Sequence, residues 1–248
     1  MASSATPSGT KPEISKAAAI GYWLGLLGVL VLLVAGPGYK WHLWNLKIGL
    51  LTMIPAALCL GLAAVILSLI GMLRSQSKGR GLLGLVLGLV AAGLPASNIQ
   101  KAMNNPIHDV STDTVKPPQF VAVMAARNSV QGGNSTDYDV KTAETQRKIY
   151  PDINPVNLDV PPAQAFDRAL AAARGFGWEI VANDPAQGRI EATATTMWFG
   201  FKDDVVIRIT PQGSGSRVDV RSLSRIGQSD VGANAKRIRA YVSKLKES

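Results

Sequence analysis

The chain has 248 residues, is 47% hydrophobic, and carries a formal net charge of +9 with a pI near 9.8. The excess charge lies early: residues 1–104 hold eight Lys/Arg and one acid, whereas residues 105–248 hold eighteen Lys/Arg and sixteen acids. This excludes a basic nucleic-acid face on the second part. One cysteine (Cys59) and two histidines (His42, His108) exclude an intrachain disulfide and a His/Cys zinc site, so neither metal nor cofactor is expected.

Three stretches carry no charge: Ala17–Tyr39, Ile48–Leu73 and Gly81–Gln100. A helix needs about 20 apolar residues to cross roughly 30 Å of hydrocarbon. The first two stretches exceed that length, and the third is apolar as far as Ala96. Lys11 and Lys16 precede the first stretch as in a secretory signal, but the run is long and Leu33-Val34-Ala35 is a poor cleavage site. Three retained transmembrane helices are therefore predicted. Gly21/Gly25 and Gly84/Gly88 predict close helix approach, and Tyr22, Trp23, Tyr39, Trp41 and Trp44 suit interfacial belts. No ionisable residue lies within a span, so transport by a charged relay is not expected.

The short loops set the orientation. Lys11, Lys16, Arg74, Lys78 and Arg80 fall on one side, and Lys40, Lys47 and Lys101 on the other. The positive-inside bias puts the N-terminus in the cytoplasm and everything after about residue 100 outside. In a bacterium with two membranes this means the inner membrane and a periplasmic domain.

Residues 105–161 lose periodicity. Pro106, Pro117, Pro118, Pro151, Pro155 and Pro161 alternate with Gly132-Gly133 and polar residues, which predicts extended coil with turns packing on the following domain through Phe120, Tyr138 and Tyr150. Ile107–Asp113 reads as a turn. The adjacent His108 and Asp109 are poorly placed for a catalytic pair, because sequence neighbours rarely make the oriented imidazole contact.

Residues 162–248 read as the folded core. Pro162–Gly175 is a predicted helix with Phe166, Leu170 and Ala173 on one side. Strands are predicted at Trp178–Ala182, Arg189–Thr196, Asp204–Thr210 and Arg217–Arg225, with Gln212–Ser216 as a hairpin loop and Asn157–Val160 as an additional strand. A closing helix over Val231–Lys246, capped by Ser229 or Asp230, has the seam Val231, Ala235, Ile238, Val242 and Leu245. The expected class is α+β: an antiparallel sheet of four to five strands with two helices on one face, preceded by three transmembrane helices. The expected domains are 1–104 (membrane), 105–161 (extended segment) and 162–248 (core).

Alternation places Ser222 and Ser224 on the face of Val218 and Val220, and helical spacing turns Asn234 inward, so polar groups converge at one end of the core. Arg217, Asp219, Arg221 and Arg225 point the other way. Buried polar groups need partners, so the cluster is either a hydrogen-bond network or the floor of a polar pocket with Arg225 or Arg237 supplying positive charge. The candidate ligand-binding residues are Arg221, Ser222, Ser224, Arg225, Ser229, Asp230, Asn234 and Arg237.

Two blocks, Trp198-Phe199-Gly200-Phe201-Lys202-Asp203-Asp204-Val205 and the run from Arg221 to Ile238, resemble the signature of domain of unknown function 1499. Ile107–Asp113 is similar to that family's opening motif. The resemblance covers about residues 105–248 and implies a bacterial or plastid-type protein, often linked to membranes, with no catalytic residue to carry over.

The leading expectation is a membrane-anchored extracytoplasmic module that binds a lipid, an envelope component or a protein partner. One alternative is an enzyme, using Ser222, Ser224 or Ser229 as nucleophile, or Asp203 and Asp204 as acid/base or metal-binding carboxylates. Neighbouring strand residues face opposite ways, however, and an ion pair with Arg221 or Arg225 is the more ordinary use of these aspartates. The other alternative is an assembly factor of a membrane complex.

Overall fold

The computed structural model describes residues 15–74 and 78–247. Lys11, counted in the orientation above, lies outside the described residues. The chain divides into two compact units, Met1–Ile99 and Gln100–Ser248.

Among the described residues, three helices are long and apolar enough to cross a membrane: α1 (Lys16–Lys40), α2 (Lys47–Arg74) and α3 (Gly79–Asn104). The first turns of α2, Lys47–Met53, are π-helical. Buried positions within this bundle are mostly small, including Ala18, Gly21, Gly25, Ala64, Gly84 and Gly88, while Leu33, Leu62 and Leu83 point outward. A methyl group on Gly84 would lie 2.7 Å from the Tyr22 backbone nitrogen, and one on Gly61 2.6 Å from that of Ala92. The helices therefore meet backbone to backbone, as the predicted glycine pairs require.

The second unit is α+β. Its elements are β1 (Asp109–Ser111), α4 (Met124–Asn128), α5 (Val140–Ile149), β2 (Val156–Leu158), α6 (Pro162–Gly175), β3 (Glu179–Asp184), β4 (Arg189–Thr195), β5 (Lys202–Gln212), β6 (Gly215–Ser224) and α7 (Ala233–Glu247). Among the described residues, six strands form one antiparallel sheet in the order β1-β6-β5-β4-β3, and β2 shares the outer edge of β6 with β1. β5 and β6 form a tight hairpin in which Gly213 carries the positive φ (+59°) that a two-residue loop needs.

Each sheet face has its own cover. Ile190, Ala192, Val205, Ile207, Val218 and Val220 pack with Phe166, Ala169 and Ala173 of α6 and Ala235, Ile238 and Leu245 of α7. On the other face, Val206 and Leu223 pack with Phe120 and Val123 from the segment before α4. Tyr241 anchors α7 to α6 by donating its hydroxyl to the Ala169 carbonyl at 2.8 Å and stacking on Trp178. Burial in that contact pushes the Tyr241 phenol far above its ordinary range.

Three expectations need correction. Residues 107–113 are not simply a turn: Asp109–Ser111 pairs with Arg221–Leu223 of β6, because the backbone edge of β6 is open there and takes a strand. The segment expected as coil contains α4 and α5. The latter was missed because its cap is local chemistry rather than periodicity: Asp139 accepts the Thr142 N–H at 2.6 Å. Val231 lies outside the closing helix, at φ +50° and 41% exposed, and Tyr241 takes a place in the buried seam instead.

Candidate functional site

The predicted residues divide between the two faces of the sheet. Adjacent strand residues alternate, so Ser222 and Ser224 face α7 while Arg221 and Arg225 face the segment before β2.

On the helix side, Asn234 is the hub and is fully buried. Its Oδ1 accepts the Ser222 hydroxyl at 2.6 Å and an N–H of Arg237, while its Nδ2 donates to the His108 carbonyl at 2.9 Å and to Ser224 Oγ at 3.0 Å. Arg237 also donates to Ser222 Oγ at 2.9 Å and pairs with Asp203 at 2.6 Å. Every donor and acceptor of the Asn234 amide is thereby used. Beside it, Asp230 caps α7, accepting the N–H groups of Gly232 at 2.8 Å and Asn234 at 2.6 Å. Burial raises the Asp230 carboxyl above its ordinary value, with those N–H groups and the Asn105 amide opposing. Asn105 in turn accepts the Tyr150 hydroxyl at 2.6 Å. Ser229 makes a local turn, its Oγ accepting the Val231 N–H at 3.1 Å.

On the opposite face, Arg221 has no exposed surface. It grips Asp109 with two nitrogens (shortest distance 2.7 Å), donates to the carbonyls of Pro118 (3.1 Å) and Thr136 (2.6 Å), and lies over the rings of Phe120 and Tyr138. Burial lifts the Asp109 carboxyl above its ordinary value and the guanidinium pulls it back in part. Asp204 takes two arginines, Arg225 at 2.8 Å and Arg127 at 2.8 Å, together with the Thr193 hydroxyl at 2.8 Å. Burial resists ionisation of Asp204, but these donors outweigh it and hold the carboxyl below its ordinary range. Glu191, fully buried, accepts the backbone N–H groups of Val121 and Val123. At the far end, Asp113 and Asp219 share Arg208 and Arg217.

This geometry bears directly on the predicted chemistry. Asp203 and Asp204 do face opposite sides, and each is engaged by arginine. A serine nucleophile needs a base that takes its proton, yet the Ser222 proton points at an amide oxygen and Arg237 occupies a lone pair. His108 is turned to the Gln228 carbonyl at 3.2 Å rather than to Asp109. Among the described residues, no group of three His, Cys, Asp or Glu side chains is placed to hold a metal. A groove of about 430 Å³ lies along residues 124–137, lined by Met124, Arg127, Val130, Gly133, Asn134 and Asp137. Asn134 joins it to the predicted site by donating to the carbonyls of Ser224 (3.0 Å) and Gly227 (2.9 Å).

Sequence reasoning missed Arg127 and Asn134, and it weighed Asp109 only beside His108, not as the partner of Arg221. The partners of Arg127 and Asp109 lie 77 and 112 residues away, so no local pattern marks them.

These features define a class: an α+β domain with two differently covered sheet faces, carried by a chain with three candidate membrane spans. Residues 109–245 match the family described as "Protein of unknown function (DUF1499)", and the chain belongs to that family. No curated protein matches it. Among solved structures, the crystal structure of TTHA0849 from Thermus thermophilus is similar at 12% identity and a TM-score of 0.25, covering 38% of this chain and 92% of that one.

Proposed function

We propose that this protein is a membrane-anchored, extracytoplasmic binding module of the bacterial envelope, with its N-terminus in the cytoplasm and its domain in the periplasm. In this reading residues 1–104 are the membrane domain, 105–161 a segment that packs on the domain, and 162–248 the core. The observation that carries it is the closure of the polar cluster: Asn234 uses all its hydrogen-bonding positions on Ser222, Ser224, Arg237 and the His108 carbonyl. Residues so engaged support a framework better than a reaction, because chemistry needs a group that can give up or take a proton. Binding then falls to the surface. Of the predicted ligand residues, Arg225 lies beside the 124–137 groove only through its carbonyl, which accepts the Asn134 N–H, while its side chain is held by Asp204; the groove itself is the proposed binding surface. The expected ligand is a lipid, an envelope component or a protein partner.

Two measurements test this reading. A phosphatase reporter joined to the C-terminus should be active only if exported, and one at Ser77, which lies outside the described residues, should be inactive. The reverse pattern overturns the orientation. Native mass spectrometry of the full-length protein should reveal co-purified lipid-like mass that diminishes in Val130→Asp, which places a charge in the 124–137 groove. A protein that binds nothing and instead hydrolyses a model ester in a Ser222-dependent manner would overturn the non-enzymatic reading.

A further inference from the structure

We infer that the groove along residues 124–137 is an anion site that holds a phosphate group over Arg127. The assignment rests on the reading that this groove is the binding surface, and the phosphate is either free or carried by a lipid headgroup.

Arg127 is the buried charge of the groove, only 5% exposed. Its terminal nitrogens are committed inward, Nη1 to Asp204 (2.8 Å) and the Leu223 carbonyl (3.4 Å), Nη2 to the carbonyls of Asn134 (3.1 Å) and Ser224 (3.4 Å). Its Nε–H is buried and meets no acceptor. The nearby Phe120 ring, centred 5.7 Å from the guanidinium carbon, supplies only a π face. A buried donor left unpaired is costly, and proteins keep one where an ion, a ligand or a water completes it.

Charge chooses among these. Arg127 and Arg225 both pair with Asp204, so two guanidinium charges face one carboxylate. Glu179, exposed on β3, acts on Arg225 only through space. The surplus at the groove wall is therefore positive, and burial strengthens its pull on an anion. The backbone adds donors. A trans peptide points its carbonyl and the next N–H in opposite directions. The Asn134 carbonyl is turned in to Arg127, so the Ser135 N–H is turned out, and no acceptor among the described residues meets it. Asn128 brings an exposed side chain to the same groove. Gly132, at φ +70° with open space where a side chain would stand, leaves the loop clear for a ligand. Separated donors around a net positive charge suit a group with several anionic oxygens. At about 430 Å³ the groove has room for a phosphate and its first substituents. Asp137, the one acidic residue among those lining it, is exposed and already accepts the Ser135 hydroxyl at 2.8 Å. Its charge opposes an anion, which makes it a reporter of the ligand's sign.

The test uses the full-length protein in a non-ionic detergent. Inorganic phosphate is titrated in by calorimetry, and retention of added phosphatidylglycerol is read by native mass spectrometry. Phosphate binding marks a free phosphate or soluble ester as the ligand; phosphatidylglycerol retained without any response to phosphate marks a lipid headgroup. Arg127→Lys keeps a cation for Asp204 but removes the Nε–H, and it should weaken binding roughly fivefold or more, as should Val130→Asp. Asp137→Asn, at an exposed position, should strengthen binding roughly threefold. If Arg127→Lys does not fold, Asp137→Asn decides alone. Binding of neither probe, or binding unchanged or weakened in Asp137→Asn, overturns the inference. Phosphate bound equally well by Val130→Asp is an adventitious ion only and overturns it too. Loss of co-purified mass in Val130→Asp with neither probe bound would sink the anion assignment and leave the groove as the binding surface, whereas co-purified mass unchanged in Val130→Asp would sink the groove itself.

Discussion

Arg221→Leu tests the buried charge layer most directly. Arg221 has no exposed surface and pairs bidentately with Asp109, whose side chain is 5% exposed. Removing one member of a buried ion pair typically costs about 3–5 kcal/mol, because the remaining charge is left in a low-dielectric site. The carbonyls of Pro118 and Thr136 also lose their donor, and each unpaired group adds about 1 kcal/mol or more. Protonation of Asp109 relieves part of the penalty, since burial already favours its neutral form. The net expectation is about 4 kcal/mol, or a melting temperature lower by roughly 10 °C for a domain of this size. The assay is urea unfolding of residues 105–248 followed by the fluorescence of Trp178 and Trp198. The double variant Asp109→Leu/Arg221→Leu should recover a large part of the loss, because it leaves no unpaired charge. A cost below about 1 kcal/mol for Arg221→Leu, or no recovery in the double variant, would refute the reasoning. Arg239→Gln is the contrast: its pair with Asp152 is half exposed (45% and 54%), and its loss should cost roughly 0–1 kcal/mol.

Asn234→Ala should cost about 1–3 kcal/mol by stranding the Ser222 hydroxyl and the His108 carbonyl; an unchanged urea midpoint would show that the hub is dispensable. Asp204 is depressed below 3.8, so the stability it contributes is full above its unfolded value and is lost as pH falls through its lower folded value. Unfolding midpoints of wild type and Asp204→Asn measured from pH 2 to 6 should therefore converge at the acid end, and a constant difference across that range would contradict the assignment. In the bundle, Gly84→Val must displace the Tyr22 backbone as well as the Ser68 side chain. The detergent-solubilised protein should melt several degrees lower in a thermal-aggregation assay, and an unaltered curve would mean that α1 and α3 do not meet at that glycine.

The sequence alone determined the parts whose physics is local. Three uncharged runs are long enough to cross hydrocarbon whatever follows them, and helices of membrane-crossing length are found there because a spanning segment must satisfy its own backbone. α6, α7 and the four strands β3–β6 were legible because each shows its buried face at a fixed period, 3.6 or 2. The same alternation brought Ser222, Ser224 and Asn234 together, and the structure joins them within 3.0 Å. Tertiary structure decided what covers each face. Alternation says that Arg221 and Arg225 share a side, but not that the one is sealed under Phe120 and Tyr138 while the other shares Asp204 with Arg127. β1 and α5 escaped for the same reason: one borrows its hydrogen bonds from β6, and the other rests on an Asp139 cap and on Gln146 reaching the backbone of Ser111. The β6 edge and the Ser111 backbone are brought to these segments only when the chain has folded, so no spacing within a short window could have marked those contacts; the Asp139 cap, three residues from Thr142, was the one local signal.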